Sequence, residues 1–208
     1  MHVMGGGDVG GAKTQIMNTV TGLSRTNDVM LISFRAGPFA DEARERGIDV
    51  RVIERHNPFR AARTMRDLVD EFKPDIIHCH GWMTALAPLY IKKAYKDEPS
   101  FRDAKVIFSL YEDDFKQPFH ADFSNKLLLK GIAKKDIAGL KEPIDYTALC
   151  KLAADFSDGI IQQSEHVNEE VLNYARESGK PVLEYQSPEN FAEACNDFYD
   201  KVWETEQK

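Results

Sequence analysis

The sequence predicts an α/β fold, a Rossmann-like, doubly wound parallel sheet of about seven strands in three α/β/α layers. Two observations carry the expectation. Short apolar runs alternate with longer segments of helical period from one end of the chain to the other. The runs "VMLISF", "DIIHC" and "KVIFSL" are apolar almost throughout, as strands covered on both faces must be. No linker or composition break interrupts the alternation, so residues 1–208 are expected to form a single domain.

In order, strands are expected at 2–4, 29–34, 49–53, 75–79, 105–110, 159–162 and 181–185. The first is short for a central strand. A glycine-rich turn, "GGGDVGGAKT", leads from it into a helix whose apolar stripe is Ile16, Met17, Val20 and Leu23. A later helix has Asn57 as its expected N-cap, Pro58 at its first position and a stripe of Phe59, Ala62, Leu68, Val69 and Phe72. In the last helix Ser187 reads as the cap, Pro188 as the first residue and Glu189 as a favourable charge at the positive end of the helix dipole. Its stripe, Phe191, Ala194, Cys195, Phe198 and Val202, should dock on the sheet face beside the preceding strand.

Composition narrows the function. With 42% hydrophobic and 29% charged residues and a formal net charge of −7, the chain repels polyphosphates, so no nucleic-acid partner is expected. Arg60, Arg63 and Arg66 fall near one helix face and read as a solvated surface. Three widely spaced cysteines, Cys79, Cys150 and Cys195, suit reduced buried thiols. No apolar run reaches membrane-spanning length, and the amino terminus is rich in glycine where a secretory signal would be apolar. No membrane partner and a cytoplasmic location are therefore expected.

In a doubly wound sheet, ligands collect where the strands end, near the switch in strand order. That directs attention to "GGGDVGGAKT", "HGWMTAL" and "YEDDF". The spacing Gly5-x-Gly7-x-x-Gly10 fits a dinucleotide fingerprint, but the second strand ends in Arg35 where an acid should take the ribose hydroxyls. A phosphate-binding P-loop needs Gly-Lys-Thr in succession, and Ala12 separates Gly11 from Lys13. What remains is a turn able to offer backbone N–H groups to a phosphate, a carboxylate or a sugar hydroxyl, or a turn that only joins strand to helix. His78 and His80 alternate along one strand and share a side; the acids Glu112, Asp113 and Asp114 stand on a neighbouring loop. Two histidines are too few for a zinc site, so neither metal nor cofactor is expected. Cys79 is flanked by apolar residues and makes a poor thiolate nucleophile, and His120 and His166 read as surface histidines.

The opening "HVMGGGDVGGAKTQIMNTVTGLS", with "AGPFADEARERGIDVRVI", resembles the N-terminal domain of family-4 type glycosyltransferases of the GT-B class, over about residues 1–74. From "DIIHCHGWMTALAPLYIKK" onward, through "KVIFSLYEDDF", "ADFSDGIIQQS" and "KPVLEYQSPENFAEACNDFYDKVW", the chain is similar to the N-terminal domain of bacterial glycogen and starch synthases. The two resemblances meet at "KPDIIHCH", which suggests a recombined or engineered chain with a seam near 73–80.

The resemblance implies the N-terminal half of an enzyme moving glucose from a nucleotide sugar to an α-glucan, with the C-terminal donor domain absent from this length. A C-terminal domain is then the implied partner, and turnover by the chain alone is not expected. The family's Asp in His-Asp-Trp aligns with Gly81, and its active-site histidine with Tyr111. By analogy the ligand-binding candidates are Gly10, Gly11 and Lys13 for an anion, with His80, Trp82 and Glu112 for a sugar; no catalytic residue is assigned. Rival readings are an oxidoreductase binding NAD(P) through the glycine turn, and a non-catalytic interaction module of recombined Rossmann fragments.

Overall fold

A computed structural model describes residues 1–5, 11–54 and 58–205. Gly7, Gly10 and the expected cap Asn57 lie outside the described residues. Seven strands form one sheet: β1 (His2–Met4), β2 (Met30–Ser33), β3 (Asp49–Val52), β4 (Ile76–His80), β5 (Lys105–Leu110), β6 (Gly159–Gln162) and β7 (Val182–Leu183). Their order is β3-β2-β1-β4-β5-β6-β7 and every pairing is parallel. The expected three-layer Rossmann-like architecture is thus present. Its switch in strand order lies between β1 and β4, the two strands that precede the glycine turn and the "HGW" turn.

The helices are α1 (Gly11–Leu23), α2 (Pro38–Glu45), α3 (Pro58–Phe72), α4 (Ala87–Leu89), α5 (Pro99–Arg102), α6 (Phe123–Lys126), α7 (Tyr146–Asp155), α8 (Glu169–Glu177) and α9 (Phe191–Glu204). A 3-10 turn, Trp82–Thr84, precedes α4, and a π-helical turn, Tyr90–Ala94, follows it. No helix among the described residues is long and apolar enough to cross a membrane.

One face of the sheet presents Val3, Ile32, Ile77, Cys79, Val106, Phe108 and Ile160 to the largest core, which also takes in Leu68 and Val69 of α3, Leu149 of α7 and Leu172 of α8. The other face lies under α1 and α9. There Leu23, Ile107, Ile161, Phe191, Cys195, Phe198 and Val202 make an apolar cluster. Burial pushes the Cys79 thiol up to about 12, and the thiols of Cys150 and Cys195 are also raised by burial, as buried, unreactive cysteines require.

Two expectations need correction. The last helix begins at Phe191, not at Pro188, because the Asn190 N–H bonds the Ser187 carbonyl (3.1 Å) and closes a separate turn first. That helix docks beside β7 as expected, against Leu183, and its stripe also reaches Ile107 of β5, Ile161 of β6 and Leu23 of α1. Two glycines permit the approach: a Cβ on Gly22 would lie 2.3 Å from Ala192 Cβ, and one on Gly159 would lie 2.9 Å from Phe198 and Val202. In α3 the inward stripe runs through Ala61 and Met65 to Leu68 and Phe72, while Ala62 is exposed.

Candidate functional site

Gly5, just after β1, and the turns after β4 and β5 meet at the carboxyl edge of the sheet. Gly5 follows β1 and is so close to the turn after β4 that a Cβ on it would lie 2.5 Å from Met83 Cβ. Gly81 follows β4 with φ 70 and ψ 175, a conformation restricted almost entirely to glycine. The space its side chain would need is taken: a Cβ there would lie 2.5 Å from Asp113 Oδ2.

Asp113, in the turn after β5, is therefore the acid that the fold selects from "EDD". Its Oδ1 accepts from the Tyr146 hydroxyl (2.9 Å) and its Oδ2 from the Trp82 backbone N–H (3.3 Å). Burial pushes its carboxyl up to about 6 despite those two donors, so it exchanges a proton near neutrality. Ionised, it can accept hydrogen bonds from a hydroxylated ligand; protonated, it can donate one. Of its neighbours, Glu112 is exposed and Asp114 accepts from the Asn168 side chain (2.9 Å) at the start of α8.

The remaining sequence candidates divide. Gly10 lies outside the described residues, and Gly11 opens α1. Lys13 turns toward α2, with Nζ 3.4 Å from Glu42 Oε2 and 5.8 Å above the Phe39 ring. Trp82 is half-buried, its ring set edge-on to Phe115 (5.0 Å) and tilted against Phe119 (6.3 Å). It is a wall of the rim rather than an open stacking platform. His80 is not in a loop: β4 runs one residue further than expected, and pairing with Ser109 of β5 turns its ring inward, leaving it 4% exposed.

Below the rim, on the face covered by α1 and α9, lies a buried polar layer. His80 Nδ1 is 2.7 Å from the Tyr111 hydroxyl, and His80 Nε2 is 3.0 Å from Nδ1 of His2 on β1. His78 Nδ1 is 2.6 Å from the Tyr199 hydroxyl of α9, and its Nε2 bonds Ser109 Oγ. Ser109 continues to Gln163 Oε1 (3.3 Å), and Gln163 Nε2 to Thr19 Oγ1 of α1 (3.4 Å). Burial lowers all three imidazoles, His80 to about 3, so the layer is uncharged. Sequence reading placed His78 and His80 on one side but missed His2, whose place opposite His78 depends on the register of β1 with β4. Tyr111 likewise points its hydroxyl into this layer and not to the rim.

Comparison with known proteins agrees with the geometry. Residues 35–184 match the family model described as the starch synthase catalytic domain. The chain is 30% identical over 115 residues to a glycogen synthase of Desulfitobacterium hafniense (strain DSM 10664 / DCB-2), covering 54% of this chain and 22% of that relative. It is 35% identical over 71 residues to glycogen synthase 2 of Geobacter metallireducens (strain ATCC 53774 / DSM 7210 / GS-15), covering 32% of this chain and 15% of that protein. The chain thus spans about a fifth of the length of these curated relatives.

Among solved structures it is similar in fold to Anabaena Alr3699/HepE in complex with UDP-glucose, with TM-score 0.50 and 13% identity over 95% of this chain and 49% of that one. The same protein in complex with UDP gives a TM-score of 0.51. A parallel sheet switching between β1 and β4, relatives that are glycogen synthases, and a model match through both rim turns lead to one assignment. The chain belongs to the starch synthase catalytic domain family.

Proposed function

We propose that this chain is the N-terminal half of a glycosyltransferase similar to glycogen and starch synthases, whose complete assembly transfers glucose from a nucleotide sugar to an α-glucan. By itself it holds sugar or nucleotide sugar weakly and does not turn over, because transfer requires a donor-binding half as its partner. The observation that carries this reading is the family match across residues 35–184, which takes in the turns after β4 and β5 that build the rim. In support of a non-catalytic rim, Gly81 brings no side chain and the Tyr111 hydroxyl is directed away from it. Asp113 is the one candidate here that joins the rim with both a carboxylate and a pKa near neutrality, and we assign it to hold sugar hydroxyls. Buried, unpaired thiols support a reducing, cytoplasmic location.

Residues 1–208 are treated as one domain even with a seam at 73–80, since a single core draws on Met1, Val3 and Ile32 before it and on Phe108, Leu149 and Leu172 after it. Two separate unfolding transitions would count against this.

Calorimetric titration of the chain with ADP-glucose, UDP-glucose, maltooligosaccharide and NADP tests the function. Weak binding of a nucleotide sugar or glucan, lost in Asp113→Ala, supports it. Preferential binding of NADP would favour the oxidoreductase reading, and silence toward all four the interaction module. Glucosyl transfer by the chain alone would overturn the claim that a partner is required.

A further inference from the structure

We propose that His2, His78 and His80 form a buried binding site for a divalent transition metal, Zn2+ foremost, between β1, β4 and α9. It is separate from the rim and independent of the proposed function. The constellation follows from strand geometry. Residues two apart on β4 share a face, and parallel pairing sets His2 directly across from His78 and Met4 across from His80. Three imidazoles are thereby gathered on one side of two adjacent strands, and each offers a ring nitrogen within 4.8 Å of the other two.

The fit to a metal rests on four features. Zinc bonds to histidine nitrogen measure about 2.0–2.1 Å, so tetrahedral ligand nitrogens stand about 3.3 Å apart. His2 Nδ1 and His80 Nε2, at 3.0 Å, are already near that spacing, and the His78 ring stacks on the His80 ring with centroids 3.9 Å apart. Next, the outward nitrogens are anchored: Nδ1–H of His80 can donate to the Tyr111 oxygen and Nδ1–H of His78 to the Tyr199 oxygen, at 2.7 and 2.6 Å. That tautomer directs both Nε2 lone pairs inward, the His80 one toward His2 Nδ1 and the His78 one toward Ser109 Oγ, whose hydroxyl must give way for the metal, with His2 ligating through Nδ1. Third, exposures of 3%, 0% and 4% shield the three rings from bulk water, which would otherwise compete for the ion. Finally, the donor set is all imidazole, which suits zinc, copper or nickel and not magnesium or calcium. Ser109 Oγ, bonded to His78 Nε2, borders the fourth position.

The test is metal binding by the full chain after exhaustive chelation. Zn2+ titrated by calorimetry should bind one equivalent, and Co2+ should give the intense visible absorption of a four-coordinate site. Saturating Zn2+ should raise the melting temperature by several degrees. His2→Gln and His80→Gln should each weaken Zn2+ binding by 100-fold or more. If either fails to fold, Tyr199→Phe keeps every ligand and should weaken binding about 10- to 100-fold through lost orientation. His120→Gln and His166→Gln, at exposed positions, should change nothing. No uptake at about 100 µM Zn2+ with melting indifferent to metal and chelator, or full-affinity binding retained in folded His2→Gln and His80→Gln, would overturn the site and leave the triad as a hydrogen-bonded network.

Discussion

At the edge where the strands begin, Lys92, Asp158 and Lys180 tie helices to sheet; at the edge where they end, Gly81 makes room for a carboxylate that is only partly satisfied. Asp158 Oδ2 accepts from the Val106 N–H (2.6 Å) and pairs with Lys92 Nζ (2.6 Å). Lys180 Nζ donates to the carbonyls of Ala154 (2.8 Å), Asp155 and Ser157 (2.7 Å), closing the end of α7. These residues line a cavity of about 470 Å3, yet their charged groups are already engaged by protein atoms. At the opposite edge, among the described residues, no comparable ion pair holds Asp113, whose partners there are one hydroxyl and one amide. A concavity is thus not by itself a site: polar groups committed to structure have little left to offer a ligand.

The largest expected effect tests the amino edge. Asp158→Ala orphans the buried Val106 N–H and leaves the Lys92 ammonium only its longer bond to the Ala104 carbonyl (3.4 Å), and should cost about 3 kcal/mol, read as a melting point lower by roughly 6–12 °C. Ligand binding at the carboxyl rim should not change. If it does, the two edges are coupled and the comparison fails.

Gly81→Ala should cost about 2 kcal/mol, from a side chain at φ 70 and from the 2.5 Å approach to Asp113. Repeating it in an Asp113→Ala background separates the two causes, leaving about 1 kcal/mol for the backbone alone. Equal costs in both backgrounds would mean that Asp113 does not fill the glycine's space.

A smaller effect should follow pH. The folded state raises the Asp113 carboxyl from 3.8 to about 6, so it binds the proton more tightly than the unfolded chain does. Its contribution is fully present below about pH 3.8 and is lost as pH rises through about 6. Relative to wild type, Asp113→Asn should therefore gain about 1–2 kcal/mol between pH about 4 and pH about 8 in urea denaturation, the range allowing for partial exposure. A pH-independent difference would show that the carboxyl is not perturbed. Smallest of all, Lys13→Met removes a half-exposed pair with Glu42 and should change stability by less than about 0.5 kcal/mol. Because stability is spared, any loss of nucleotide-sugar binding in that variant would report a direct contact.

The fold was legible because burial on both faces writes itself into composition. The segments 105–110 and 159–162 are strands to the residue, and Ile16, Met17, Val20 and Leu23 are all buried as their spacing requires. Capping residues were less reliable. Ser187, Pro188 and Glu189 make a plausible helix start, yet a local turn closed by Asn190 uses them first. The same limit applied to the site: Lys13, Trp82 and Glu112 carry suitable groups at suitable turns, but direction is set by what each side chain packs against.

What the sequence determined by itself was the succession of strands and helices, the buried thiols and the edge at which ligands should collect, since these follow from local pattern and strand order. Only the tertiary structure decided which acid of "EDD" turns inward, that His80 leaves the rim, and that His2 joins His78 and His80. Each depends on strand register or on space left by a glycine, and neither is encoded in the spacing of residues along one segment.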